Sequence, residues 1–177
     1  MKHRNPQADF SLTALYEALD DARRARNMTW TAVVGEINAR FRDVPGHKRI
    51  AASTIASLSS KVLAEGDGIL QMLLWLRRTP ESFVPGVENA RATRYRLREL
   101  GTTQILRWDT VALFEAVNAG RRARGMNWKE VASEIGGVTP AMLTRLEKGG
   151  RTALPPAMRI VAWLGEPAAR FTRASSW

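Results

Sequence analysis

The stretch "RRARGMNWKEVASEIGGVTPAMLTRLEKGG", residues 121 to 150, decides how this chain folds. Six of its first eight residues occur once before in the same order, in "RRARNMTW" at 23 to 30. Sliding the sequence on itself by ninety-eight positions extends the match far beyond the octet. "ALYEALDDARRARNMTWTAVVGEI" (14 to 37) lies over "ALFEAVNAGRRARGMNWKEVASEI" (112 to 135), pairing Glu17 with Glu115, Trp30 with Trp128 and Ile37 with Ile135. The offset then falls to eighty-eight. There "IAASTIASL" (50 to 58) covers "VTPAMLTRL" (138 to 146), Trp75 falls on Trp163 and Phe83 on Phe171. The first copy therefore holds ten extra residues within "NARFRDVPGHKR" (38 to 49), and the chain is a tandem duplication. The expected organisation is a first unit at 1–83 with its inserted loop at 38–49, a basic linker at 84–107 and a second unit at 108–177.

Working outward from the quoted stretch, the apolar spacing is helical. Ala112, Leu113, Ala116, Val117 and Gly120 form one stripe behind an N-cap at Asp109 or Thr110. Arg121, Arg122 and Arg124 end that helix, where cations complement its dipole, and Gly125 is placed to cap it. "NWKEVASEIGG" reads as a second, short helix capped by Asn127, with Trp128, Val131, Ala132 and Ile135 at steps of three and four. "VTPAMLTRLEKGG" gives a third: Thr139 as N-cap, Pro140 at the first helical position, Leu143 and Leu146 inward, Gly149 as stop. A fourth is expected near 156–164, and a final turn near 167–171 should lay Phe171 on the core. Two-residue alternation occurs only in "RYRLREL" (94–100), which reads equally well as helix. The expected fold is all-α, two tandem units of four to five helices each, built around a helix, tight turn, helix core.

Composition narrows the function. With 177 residues and 45% hydrophobic content, each copy sits near the lower size limit for a self-supporting core. The absence of cysteine excludes disulfides and thiolate metal sites. No apolar run approaches the roughly 20 residues of a membrane span, and "MKHRNPQADF" lacks the apolar core of a secretion signal, so a cytoplasmic protein is expected, nucleoid-associated when bound to DNA. His3 and His47 have no second ligand at metal spacing, and no nucleophile–base pair, phosphate loop or paired carboxylates stand out. Neither a metal, a cofactor nor an enzymatic activity is expected. The net charge of +10 is spread over both copies and the linker. Such a balance suits a polyanion partner, although arginine-rich surfaces also occur on proteins that bind none.

The quoted residues resemble the Xre-like, lambda-repressor-like family of helix-turn-helix DNA-binding domains, over nearly all of 109–171. That resemblance implies an ion pair between Arg121, ending helix 1, and Glu147, closing the recognition helix, with helix 2 packed through Ala132 and "LEKGG" as the stop. It also implies base contacts at the start and middle of the third helix, here Pro140, Ala141, Thr144 and Arg145. Arg145 is the principal reader, since a guanidinium bridges guanine O6 and N7, while Thr144 and Ala141 suit a thymine methyl. Lys148, the backbone of Gly149 and Arg151 would reach phosphate, with Arg122 and Arg124 as further phosphate candidates. Two departures matter. Trp128 and Trp30 open helix 2 where many relatives have Gln, and Gly136-Gly137 lengthens the turn by one residue.

The first copy departs further, with Ala52, Ser53, Ala56 and Ser57 at the reading positions and Ser59 in the place of Glu147, so that Arg23 lacks its expected partner. Arg40, Arg42, Lys48 and Arg49 in the insertion are its phosphate candidates. Because Arg145 and Ser57 stand at equivalent positions, the expected target is an asymmetric double-stranded DNA site. The twenty-four-residue linker, as free coil, would span roughly 25 to 30 Å, the scale of adjacent major grooves. A competing reading is a protein-interaction module on the same scaffold, antitoxin-like or anti-activator-like, supported by the Ser/Ala-rich third helix of the first copy. A second copy of the chain or a regulatory protein is a further partner open to either.

Overall fold

The computed structural model describes residues 9–87 and 96–176. It is mainly helical, with one small sheet. The first half runs α1 (Leu12–Ala25), α2 (Trp30–Ala39), α3 (Ala52–Ala56) ending in a 3-10 turn (Leu58–Ser60), α4 (Gly66–Leu76) and a 3-10 turn (Pro80–Phe83). After β1 (Ile105–Trp108) the same succession returns as α5 (Thr110–Ala123), α6 (Trp128–Ile135), α7 (Pro140–Arg145) with its 3-10 turn (Leu146–Lys148), α8 (Leu154–Leu164) and a 3-10 turn (Ala168–Phe171), before β2 (Thr172–Ser175). No described helix is long and apolar enough to cross a membrane.

The local signals explain these boundaries. Asp109 accepts from Ala112 N (3.0 Å) and its counterpart Ser11 from Ala14 N (3.0 Å), so each first helix has a side-chain N-cap. Asn127 and Glu130 form a reciprocal capping box that starts α6. Thr139 caps α7 through Met142 N (3.1 Å), ahead of Pro140. Gly149 ends that segment as expected. The fourth helix starts two residues before its expected first residue, at Leu154, and carries Pro155 and Pro156 in its first turn, where a missing N–H costs nothing.

The buried apolar side chains form one cluster through both halves, to which the two halves contribute matching positions. Leu15, Leu19, Val33, Ile37, Ile55 and Leu58 are fully or almost fully buried in the first, and Leu113, Val117, Val131, Ile135, Leu143 and Leu146 in the second. Burial of one such side chain is worth about 1.5–3 kcal/mol. Phe83 and Phe171 are buried in that cluster, and their carbonyls accept from the N-cap residue of the first helix of the same half, Ser11 N and Asp109 N, at 2.8 Å in both halves. The insertion is folded rather than looped out. Phe41 and Val44 are buried, and Asn38 exchanges two hydrogen bonds with the Ile50 backbone (both 2.9 Å).

The expected helical class holds in its coarse form, the chain being mainly α, with one small sheet added: β1 pairs antiparallel with β2, Ile105 against Ser175 and Trp108 against Thr172. Its strands are four residues long with sixty-three residues between them, and neither Ile-Leu-Arg-Trp nor Thr-Arg-Ala-Ser alternates strictly, so no two-residue period announces them. The linker, against expectation, is not a free coil where it is described. Leu97, Ile105, Leu106 and Trp108 are buried, and Thr102 O accepts from Asp43 N of the insertion (3.1 Å). Part of "RYRLREL" and the residues around Arg91 and Arg94 lie outside the described residues; from 96 to 100 the backbone is neither helix nor strand.

The halves meet about a local two-fold axis. Gly66 N donates to Thr152 O (2.8 Å) and Leu154 N donates to Ala64 O (3.0 Å), an antiparallel bridge that sets Glu65 opposite Ala153. These residues occupy equivalent positions under the offset of eighty-eight. Away from the axis the contacts also come in related pairs. Gln71 of α4 donates to Leu106 O (2.7 Å), just ahead of α5, while Arg159 of α8 is paired with Asp9, just ahead of α1. Asp67 accepts from Trp108 N (3.0 Å) and stands 3.3 Å from Arg107 Nε. A tandem pair of similar units thus closes on itself as two-fold dimers do.

Candidate nucleic-acid interface

The segments α2–α3 and α6–α7 present their third helices outward. Ala141, Thr144 and Arg145 are exposed and Pro140 half-buried, while Leu143 and Leu146 point into the core. The face expected to read bases is therefore one face of one short helix. Thr144 Oγ1 donates back to the Pro140 and Ala141 carbonyls (3.2 and 3.3 Å), which leaves its methyl as the outward chemistry. Arg145 carries no ion pair among the described residues. In the first half Ser53 is exposed, Ala52 and Ser57 half-buried, and Ser57 Oγ donates to Thr54 O (3.0 Å).

Lys148, Arg151 and Arg122 are exposed and without an ion pair among the described residues, and Gly149 is half-buried where it turns the chain away from the third helix. Lys48 and Arg49 are exposed just ahead of α3. Arg42 is paired with its neighbour Asp43 (3.5 Å), and Arg40 is half-buried at the end of α2. All these cations except Arg40 keep their charge in solvent. Against the second half, the first half thus adds cations before its third helix to Lys61, exposed just after its third segment.

The expected Arg121–Glu147 pair does not form. Arg121 donates from Nε and Nη2 to Asn118 Oδ1 (3.1 and 2.9 Å) and from Nη1 to Met126 O (3.0 Å), while Glu147 is exposed. Arg23 does the same with Asp20 Oδ1 (2.9 and 2.6 Å) and Met28 O (3.0 Å), so it has not lost a partner. Both guanidiniums also lie over the helix 2 tryptophan, Arg121 at 4.8 Å from Trp128 and Arg23 at 5.0 Å from Trp30, with Phe114 or Tyr16 against the same ring. Each Trp is a packing residue that pins the turn between helices 1 and 2. The signal was present in sequence: a short acceptor three residues before the arginine, Asp20 and Asn118, recurs in both copies.

Arg124 is likewise committed. It pairs with Glu134 (3.3 Å) and covers Trp163 (4.4 Å), and Trp163 Nε1 donates to Glu134 Oε2 (2.9 Å). Arg26, Glu36 and Trp75 repeat the triad, with the ion pair at 2.8 Å and the indole hydrogen bond at 2.8 Å. That hydrogen bond from Trp75 holds the Glu36 carboxyl below its ordinary range, assisted by Arg26 and opposed by slight burial. These three residue types tie helices 1, 2 and 4 of each half together, which gives the co-duplication of Trp75 and Trp163 its reason. Arg124 is thus half withdrawn from the phosphate candidates.

At the junction of the halves the electrostatics are unusual. Burial pushes Asp67 up to about 6, with Glu65 adding to the rise and the Trp108 N–H, Arg107 and Arg151 opposing it. Burial and the nearby Arg107 and Arg151 push His47 below its ordinary value, against Glu65. The insertion therefore delivers His47 to the same junction, where its ring meets Phe41 edge-on at 4.5 Å. No family model, no curated protein and no solved structure matches this chain.

Proposed function

We propose that the chain is a DNA-binding protein, a transcriptional regulator that grips an asymmetric double-stranded site through two non-identical helix-turn-helix units. The observation that carries this reading is the two-fold bridge at Glu65 and Ala153. It lies five residues beyond the end of each third segment, Ser60 and Lys148, and so joins the two halves at equivalent positions inside a single chain. Paired readers of this kind suit successive major grooves roughly 34 Å apart. The divergence of Arg145 from Ser57 at equivalent positions makes the half-sites unequal, with Arg145 on a guanine and the Ser/Ala face of α3 positioning more than reading.

Salt titration on random duplex tests the reading first. Lys48, Arg49, Arg122, Lys148 and Arg151 on five phosphates predict that log affinity falls with log salt at a slope of about −4 to −5. Selection from a random duplex library then tests the reader. Arg145→Ala should keep binding while losing about 1–3 kcal/mol of discrimination at one base pair. A perfect inverted repeat, or an unchanged motif in Arg145→Ala, contradicts the assignment. The protein-interaction reading rests on the uncharged exposed face of α3, and it requires negligible duplex binding at all salts.

A further inference from the structure

The three exposed large apolar side chains among the described residues all lie beside the loops that leave the third segments. Val62 (87% exposed) and Leu63 (55%) follow the Leu58–Ser60 turn. Val111 (41%), in the first turn of α5, lies against Gly149, where a Cβ would stand 3.6 Å from its Cγ2. The two loops are joined by the Glu65–Ala153 bridge and enclose a shallow cleft of about 290 Å³, lined by Leu63, Ala64 and Glu65 on one side and Arg151, Thr152 and Ala153 on the other. Gly149 and Gly150 carry the chain from Val111 to Arg151, and the Thr110 hydroxyl holds Gly150 O (3.5 Å), so the cleft and the aliphatics belong to one continuous surface. None of the three belongs to the buried cluster. Aliphatics exposed together in this way mark a contact surface, whereas single ones do not.

The charge around this surface has one sign. Lys61, Lys148 and Arg151 are exposed and without an ion pair among the described residues. Glu65, the acid of the cleft, has both carboxylate oxygens accepting from the start of α4, from Asp67 N (3.1 Å) and Gly68 N (2.8 Å). The exposed Glu147 offsets its neighbour Lys148, which leaves Lys61 and Arg151 in excess. We propose that this surface docks an acidic peptide segment of a partner protein. The segment seats an apolar side chain in the cleft against Leu63, covers Val62 and Val111, and sets its carboxylates on Lys61 and Arg151. A concave cleft takes an inserted side chain, which a flat bilayer does not supply, and a second copy of the chain carries the same charge of +10 and is repelled. The inference goes beyond the DNA reading and does not depend on it. On that reading Arg151 also serves a phosphate, so peptide and duplex exclude one another there, and the partner controls access to DNA.

The test selects binders of the full chain from a displayed library of random peptides, with no nucleic acid present, so that its failure leaves the DNA reading untouched. Enriched peptides should combine Asp or Glu with a large apolar residue. The best of them, synthesised with a fluorophore and followed by anisotropy, should bind the double variant Val62→Ser/Leu63→Ser about tenfold more weakly than the wild type. Val111→Ser, on a different element, should give a separate loss of about threefold. Lys61→Ala/Arg151→Ala should weaken binding about tenfold and flatten its salt dependence. These positions are solvent-facing, and circular dichroism melts check that each variant keeps the fold. No enriched peptide, peptides enriched without acids, or equal binding by Val62→Ser/Leu63→Ser overturns the proposal. So does co-sedimentation of the wild type with phosphatidylserine vesicles, or a dimer in sedimentation velocity, if either is lost in Val62→Ser/Leu63→Ser, since the surface then belongs to a membrane or to a second copy.

Discussion

Arg121 shows how a single side chain holds an element boundary. Its guanidinium satisfies the Met126 carbonyl at the turn, takes Asn118 as a local acceptor and covers Trp128, so three contacts share one charge. Arg121→Ala should cost about 1–2 kcal/mol in urea unfolding, whereas Glu147→Ala should stay within about 0.5 kcal/mol. The reverse ranking would restore the family-type pair. Asp67 makes a pH prediction. Its carboxyl titrates near 3.8 in the unfolded chain and about 6 when folded, so the folded state holds that proton more tightly. Its contribution to stability is present below pH 4 and is lost as pH rises through 6, an effect of up to about 3 kcal/mol. Asp67→Asn, which keeps an acceptor for Trp108 N–H, should therefore gain on the wild type between pH 4 and 7; parallel stability curves over that range would contradict the assignment.

At the scale of elements, the duplication supplies internal controls. α4 ends on Arg77 in the left-handed region (φ 54°), and its equivalent at the end of α8 is Gly165 (φ 70°). A side chain there costs about 1 kcal/mol, and Arg77 is exposed, so Arg77→Gly should raise the thermal midpoint by a few degrees. A lowered midpoint would mean that Arg77 makes a contact worth more than its strain. Most of the helices were legible from caps and three–four spacing, since each signal acts within a turn of chain. The sheet was not, because Ile105–Trp108 becomes a strand only when Thr172–Ser175 arrives beside it. The Arg–Glu–Trp triads lay between these cases: their members were visible as a repeat, but the repeat alone did not say that they touch.

For the whole molecule the axis is the decisive feature, and Gly66 is its narrowest point. A Cβ there would fall 2.7 Å from Trp108 Cδ1 and 2.8 Å from Thr152 O. Gly66→Ala should force the halves apart, giving a urea midpoint below that of the wild type or a split into two transitions. An unaltered single transition would mean that the halves do not depend on this bridge.

The sequence by itself determined that the chain repeats itself, where the helices of the second copy begin and end to within about two residues, and which of their positions face inward. These follow from hydrophobic period and capping, which act over short stretches of chain. Only the tertiary structure decided that Arg121 turns to Asn118 instead of Glu147, that the linker enters a sheet, and that the copies close about an axis through Glu65 and Ala153. Those outcomes depend on which groups from distant segments come within hydrogen-bond reach, and spacing along one chain does not encode that distance.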